Sequence, residues 1–224
     1  MLINNHPSSE WLSAYAAGSL SLSQSLCVAA HLESCTVCQQ NFARLNQLGG
    51  ELMNELSPAV GSNLNFEQLM DSINKQDSAV VQNNNSGVAS EKPRGSIPHC
   101  LRKFIPIDYD HLQWSRISPS IHSTLLCEDH GGSKVELLRI KPGGSAPTHT
   151  HLGDELTVIL EGSFSDEQGI YRKGDFLACD GSNDHTPVAS KDRDCICLVV
   201  SEAPLQFTGW FTRLFNPLLR RGYA

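Results

Sequence analysis

His31-Leu32-Glu33-Ser34-Cys35-Thr36-Val37-Cys38 is the stretch from which the N-terminal half is read. Four residues make about one helical turn, and a Cys-x2-Cys turn converges its sulfurs, so one imidazole and two thiolates can face a single ion. Zinc suits that donor set. Three ligands do not close a structural tetrahedron, and His6 is the only histidine or cysteine before Cys27. The expected set is therefore His6, His31, Cys35 and Cys38; the plain alternative is two buried cysteines beside a surface histidine.

The surroundings of this stretch are helical in pattern from Ser8 to Lys75. Trp11, Leu12 and Tyr15 recur at helical spacing after Ser8 or Ser9 as a cap, and Gly18 is a natural stop. Ser21 or Ser23 caps a second helix, whose stripe of Leu22, Leu26, Ala29 and Ala30 carries His31 toward the ion. After Cys38, the positions Phe42, Leu45, Leu48, Leu52, Met53 and Leu56 predict a long amphipathic helix, bent at Gly49-Gly50 and ended by Pro58 and Gly61. Phe66, Leu69, Met70 and Ile73 predict a fourth, shorter one. So small an all-helical unit buries little apolar surface, and a bound ion would add stability. Its acidic residues Glu10, Glu33, Glu51, Glu55, Glu67 and Asp71 stand against only Arg44 and Lys75, a face that suits a basic partner or plain solvent.

Over its 224 residues the chain carries a formal net charge of -7, which argues against direct DNA binding, since a nucleic-acid backbone needs clustered Lys and Arg. No apolar run reaches the roughly 18 residues of a membrane span, so no membrane association is expected. The N-terminus lacks a secretory pattern, so the eight cysteines point to metal and thiols in a cytoplasmic protein rather than to disulfides.

Between Gln76 and about Pro98 the chain turns to Gln82-Asn83-Asn84-Asn85-Ser86-Gly87 and scattered Ser, Pro and Gly, the composition of a linker. Beyond it, short strands are expected at Ile121–Cys127, Lys134–Ile140, Glu155–Glu161, Asp175–Cys179, Thr186–Ser190 and Asp194–Val200. Many short strands mean a barrel or sandwich. Gly143, five residues, His149-Thr150-His151, three residues, Glu155, six residues and Gly162 reproduce the first metal motif of the cupin barrels. Strand alternation sends His149 and His151 to one face, where Glu155 and a later histidine can join them. The second motif is partial: Gly174 and His185 are in register, while its usual proline, second glycine and asparagine are replaced by Asp180, Ser182 and Ala189. His149, His151, Glu155 and His185 form the second expected metal set.

Cys195 and Cys197 share one face of a strand with Cα atoms about 6.6 Å apart, near the outer limit for a disulfide. They read either as buried apolar thiols or as a reactive pair near the metal. Cys27, Cys100, Cys127 and Cys179 read as buried small residues. Phe207, Trp210, Phe211, Leu214, Phe215 and Leu218 mark a final helical stripe.

In this order the two metal sets resemble the ChrR family of zinc-binding anti-sigma factors, which carries a Cys-x-Cys pair where Cys195 and Cys197 fall. The fold class expected is α+β multidomain: an N-terminal all-α zinc-bound helical bundle followed by an all-β cupin (jelly-roll) barrel. The resemblance implies a zinc-binding helical anti-sigma domain at 1–76, a flexible linker at 77–98, a cupin-like metal-binding barrel at 99–201 and a C-terminal amphipathic segment at 202–224. It implies a bacterial cytoplasmic transcription regulator whose partner is an extracytoplasmic-function (group IV) sigma factor, released on an oxidative signal such as singlet oxygen sensed through the barrel. Zn2+ is expected at the first site, and Zn2+, or alternatively Fe or Mn, at the second. Nothing in the pattern opposes self-association. The competing reading is a metal-dependent cupin enzyme, a dioxygenase or isomerase, with an open coordination position.

Overall fold

The computed structural model describes residues 3–57, 65–80, 97–182, 184–209 and 216. Helices α1 (Ser9–Ala16), α2 (Leu22–Leu32), α3 (Thr36–Glu55) and α4 (Phe66–Val80) come first. Each of the first three begins where a side chain accepts from a free backbone N–H. Ser8 caps α1. Ser21 and Gln24 form a reciprocal capping box on α2. Cys35 caps α3, its sulfur accepting from the Cys38 N–H at 3.5 Å. One of the expected metal ligands thus doubles as the cap of the helix that carries another.

The strands are β1 (Ser115–Arg116), β2 (Ile121–Glu128), β3 (Lys134–Ile140), β4 (His149–His151), β5 (Glu155–Glu161), β6 (Ser163–Ser165), β7 (Ile170–Arg172), β8 (Phe176–Cys179), β9 (Val188–Ala189), β10 (Cys195–Ser201) and β11 (Leu205–Phe207). Six of them form an antiparallel sheet in the order β1-β2-β3-β10-β5-β8. β11 pairs with β4, and β7-β6-β9 make a third small sheet. Gly162 takes φ +71° in the step from β5 to β6, and a Cβ there would lie 3.0 Å from the Cα of Cys195, so this glycine of the motif is demanded by backbone shape and by space.

Alternation sorts the large sheet into two faces. Ile159, Cys195, Cys197 and Val199 point inward with Phe164 and Tyr171. Leu137, Leu156, Val158, Ile196, Leu198 and Val200 point outward, into one core shared with Leu12, Leu26, Val28 and Leu32 of the helices. α2 lies across β5 and β10. Every residue of β10 is buried, because the barrel covers one face and α2 the other. Glu33 adds a polar tie: its carboxylate accepts from the backbone N–H groups of His99 (2.6 Å) and Cys100 (2.9 Å), where a short 3-10 turn, His99–Leu101, enters the barrel.

The helical and strand halves are therefore packed together, whereas linker composition alone left their contact open. α3 runs unbroken through Gly49-Gly50, and α4 is the shorter of the two as expected but passes Lys75 and extends to Val80, into the stretch read as linker. Phe207, expected to open a helical stripe, lies in β11 and completes the pairing of β4 instead. The remaining stripe residues, the helix stop at Pro58 and Gly61, and linker residues 81–96 lie outside the described residues.

Leu101 is fully buried where the 3-10 turn meets α2. Leu101→Ala should destabilise the protein by about 2–5 kcal/mol, the range for deleting a buried leucine. In a denaturant titration the loss should appear in one transition. Two transitions, only one of them shifted, would show that the halves unfold separately.

Candidate metal centres and partner surface

His6, His31, Cys35 and Cys38 come together, their ligand atoms all within 4.8 Å of one another. The two cysteines are local, on either side of the start of α3, and each sulfur lies close to His6 Nδ1, at 3.3 Å from Cys35 and 3.4 Å from Cys38. His31, at the end of α2, is fully buried. Its Nδ1 donates to the carbonyl of Gly174 at 2.7 Å, so Nε2 carries the lone pair. That Nε2 is buried with no hydrogen-bond partner. An orphaned acceptor facing two sulfurs and a second imidazole fits a cation, and two thiolates with two imidazoles suit tetrahedral zinc. Burial holds the His31 pKa down at about 4 and pushes the Cys38 thiol up to about 12. The histidine is thus neutral and ready to ligate, while the thiol needs a nearby positive charge to give up its proton.

The second group is His149, His151 and His185. His149 and His151 lie two apart on β4 and share its inward face. His185 faces His149 across a two-way backbone pairing, with N–H to O distances of 3.2 and 3.1 Å. Each Nδ1 has an oxygen beside it: the Pro147 carbonyl for His149 at 2.7 Å, Glu155 for His151 at 3.4 Å, and Asp166 for His185 at 3.4 Å. The Nε2 atoms therefore converge, 2.9 Å from His149 to His185 and 3.2 Å from His151 to His185. Three lone pairs so close repel unless a cation sits among them. Nitrogens on a tetrahedral zinc lie about 3.3 Å apart, near the spacing here. Burial lowers the pKa of both His149 and His151 to about 4, which keeps them neutral.

Glu155 stands at the edge of this trio rather than within it. Its carboxylate is beside His151 Nδ1 and also accepts from Thr157 at 3.3 Å. Burial pushes its pKa up to about 7. Gly174 stood in the second motif, but nothing there pointed to its carbonyl as the partner of His31, and Asp166 and Pro147, which also hold imidazoles in place, had no motif to reveal them. They act through their position in the folded chain, not through spacing from the ligands.

Beside the trio the barrel encloses a largely apolar cavity of about 250 Å³, lined by Ile121, Leu138, Phe164, Leu177, Val199 and Phe207. Cys195 and Cys197 are both buried with sulfurs 3.6 Å apart, and Cys197 faces the cavity. The hydrogen bond with Cys195, and then burial, raise the Cys197 thiol well above its ordinary pKa, so it is held as a thiol rather than a thiolate. Cys27 is buried, and Cys100, Cys127 and Cys179 are half-buried.

The helical half also leaves an apolar surface uncovered. Leu48, Leu52 and Met53 are exposed along the second half of α3, Leu56 at its C-cap, and Phe66, Leu69, Met70 and Ile73 along α4. Met53 and Phe66 each expose 72% of their surface. Amphipathic helices with no core against their apolar side among the described residues are suited to receive another surface. Among the described residues no helix is long and apolar enough to cross a membrane.

If both groups hold metal, the native chain should carry two equivalents by elemental analysis. Cys35→Ser with Cys38→Ser should leave one, and His149→Ala with His185→Ala should remove the other. Retention of both ions by either double variant would contradict the assignment.

Residues 102–205 match the family described as the ChrR cupin-like domain. The chain is 34% identical over 221 residues to the anti-sigma-E factor ChrR of Cereibacter sphaeroides, covering 98% of this chain and 100% of that protein. It is also similar to the crystal structure of Rhodobacter sphaeroides SigE in complex with the anti-sigma ChrR, with a TM-score of 0.72 and 31% identity over 89% of this chain and 100% of that one. A likeness that runs through helices and barrel alike settles the family: this chain belongs to the ChrR anti-sigma factors.

Proposed function

We propose that this protein is an anti-sigma factor that sequesters an extracytoplasmic-function sigma factor against the exposed apolar faces of α3 and α4. The observation that carries the proposal is that uncovered surface, on the half of the chain that a cupin enzyme would not need. An apolar helix face laid into a partner's groove is a recurrent mode of recognition, and the acidic residues Glu51, Glu55, Glu67 and Asp71 beside it would favour a basic partner. Its relative's structure in complex with SigE supports the same partner class.

In this reading Zn2+ at His6, His31, Cys35 and Cys38 fixes the start of α3 against α2 and so sets the direction of the binding face. His149, His151 and His185 hold a second ion, Zn2+ or alternatively Fe or Mn, with Glu155 as the anionic donor beside them. Residues 1–76 form the anti-sigma domain, 99–201 the sensing barrel, with 77–98 linking them. The protein acts in the cytoplasm, where sigma factors meet polymerase. An oxidative signal at the barrel lowers the affinity of the helical face and frees the sigma factor.

Co-expression with each sigma factor of the source genome, followed by affinity capture, tests the reading. One sigma factor should be captured at a one-to-one ratio. Leu52→Asp with Met53→Asp should weaken it by about 30-fold or more, the loss of roughly 2 kcal/mol expected at the centre of an interface. No capture, together with an iron-loaded barrel that consumes oxygen, would favour the enzyme instead. For sensing, His149→Ala with Glu155→Ala should keep capture but abolish release under singlet oxygen. Unchanged release from that variant would place the sensor elsewhere.

A further inference from the structure

The four residues of the N-terminal metal group differ in how they are held. Cys35 and Cys38 are fixed within the α2–α3 junction. The two imidazoles are fixed from outside it, by a single turn of the barrel between β7 and β8. Gly174 in that turn takes φ +91° and presents its carbonyl to His31 Nδ1, from a position 143 residues away in the chain. The next residue, Asp175, is 1% exposed. Its Oδ1 accepts from the backbone N–H groups of Asn4 (2.8 Å) and Asn5 (3.1 Å), and its Oδ2 from that of Arg172 (2.8 Å). Phe176 then donates its N–H to the Asn5 carbonyl at 3.0 Å and sets its ring edge-on to His31, with centroids 5.8 Å apart. The arm that ends in His6 is therefore bound to the barrel along its backbone. Ile3 and Ser34 close over the glycine: a Cβ at Gly174 would lie 2.6 Å from Ile3 Cδ1 and 3.4 Å from Ser34 Cβ.

We infer that Gly174 and Asp175 are positioning residues for the N-terminal metal, so that the barrel supplies the outer shell of an ion bound by the helical half. The carbonyl of Gly174 selects the His31 tautomer that leaves Nε2 for the ion, and the carboxylate of Asp175 holds the arm that delivers His6. Outer-shell partners of metal-bound histidines fix ring orientation and ligand basicity, and their loss typically costs 10- to 100-fold in affinity. The coupling runs both ways, since whatever moves the turn weakens the metal site and whatever fills the site holds the turn. The turn is also close to the histidine trio. β8 is only four residues long, and while Phe176 at one end touches His31, Cys179 at the other pairs with Glu155. The span is about 10 Å.

The inference rests on reading His6, His31, Cys35 and Cys38 as a metal group, and titration of the full-length, metal-free chain with Co2+ separates the two claims. Thiolate-to-cobalt absorption reports only the cysteine-bearing group, while the trio contributes histidine-bound cobalt without that band. Asp175→Ala should weaken cobalt binding at the thiolate group by 10- to 100-fold and leave the trio within twofold of the native chain. Ile3→Ala leaves every barrel residue in place and should shift the same site in the same direction by a smaller factor, so it decides the matter if Asp175→Ala does not fold. Thiolate-site affinity within twofold of native in the folded variants overturns the inference, as does an equal loss at both sites, which would mark a general loss of stability. No thiolate band in the native chain would overturn the metal reading itself.

Discussion

The outward face of the six-stranded sheet has to be covered, and most of the architecture follows from that. Leu137, Leu156, Val158, Ile196, Leu198 and Val200 would otherwise present a continuous apolar surface to water. Helix α2 covers it with Leu26, Val28 and Leu32. At about 25 cal/mol per Å² of apolar surface buried, such a contact far outweighs the individual hydrogen bonds around it. The position of α2 then decides where His31 ends up. A helix laid on β5 and β10 to bury its leucines brings its C-terminal histidine to the β7–β8 turn, and the metal group forms at the seam between the halves.

At both groups the chain leaves nitrogen lone pairs without hydrogen-bond donors in buried surroundings. His31 Nε2 is one, and the converging Nε2 atoms of His149, His151 and His185 are the others. In each case an acceptor on the far side of the ring holds the proton on Nδ1. A buried acceptor without a donor is costly in any protein, and a cation among the imidazoles would offset that cost. The pattern is that of ligands pre-arranged for a cation. Both sites have an outer layer of oxygens, from Gly174, Pro147, Asp166 and Glu155, of which only Glu155 belongs to the ligand spacing.

Much of this was legible in the sequence because the ligand groups are local. His31, Cys35 and Cys38 span the end of one helix and the start of the next, and His149 and His151 share one strand face, so periodicity alone places them. Lys134–Ile140 and Glu155–Glu161 were read with the bounds they have in the fold, being apolar runs between turn residues. What escaped was non-local or very short. The three-residue strands β6, β7 and β11 carry too little pattern to stand out, and each exists through its pairing. Phe207 kept a helical spacing with the residues after it, yet the free edge of β4 took it as a strand. The contact between helices and barrel did leave a trace. Cys195-Ile196-Cys197-Leu198-Val199-Val200 has no polar alternation, which a barrel strand with one wet face would show.

The energies involved say how a signal in the barrel could free a partner from the helices. Moving a sigma factor from almost fully bound to almost fully free takes a change of about 5.5 kcal/mol in the preference of the helical face. Losing one hydrogen bond, such as that from His31 to Gly174, is worth only about 0.5–1.5 kcal/mol. Losing a structural zinc forfeits an apparent 10–16 kcal/mol of folding free energy in small metal-dependent units. A change transmitted through the β7–β8 turn therefore has to act on the metal group as a whole, by turning His31 and drawing off the arm with His6, to be large enough. The Cys35 sulfur that caps α3 would then lose its ion, and the helix that carries Leu48, Leu52, Met53 and Leu56 would lose its fixed start. On this arithmetic an ion held by His6, His31, Cys35 and Cys38 would be the element that turns a small displacement in the barrel into a large change at the binding face.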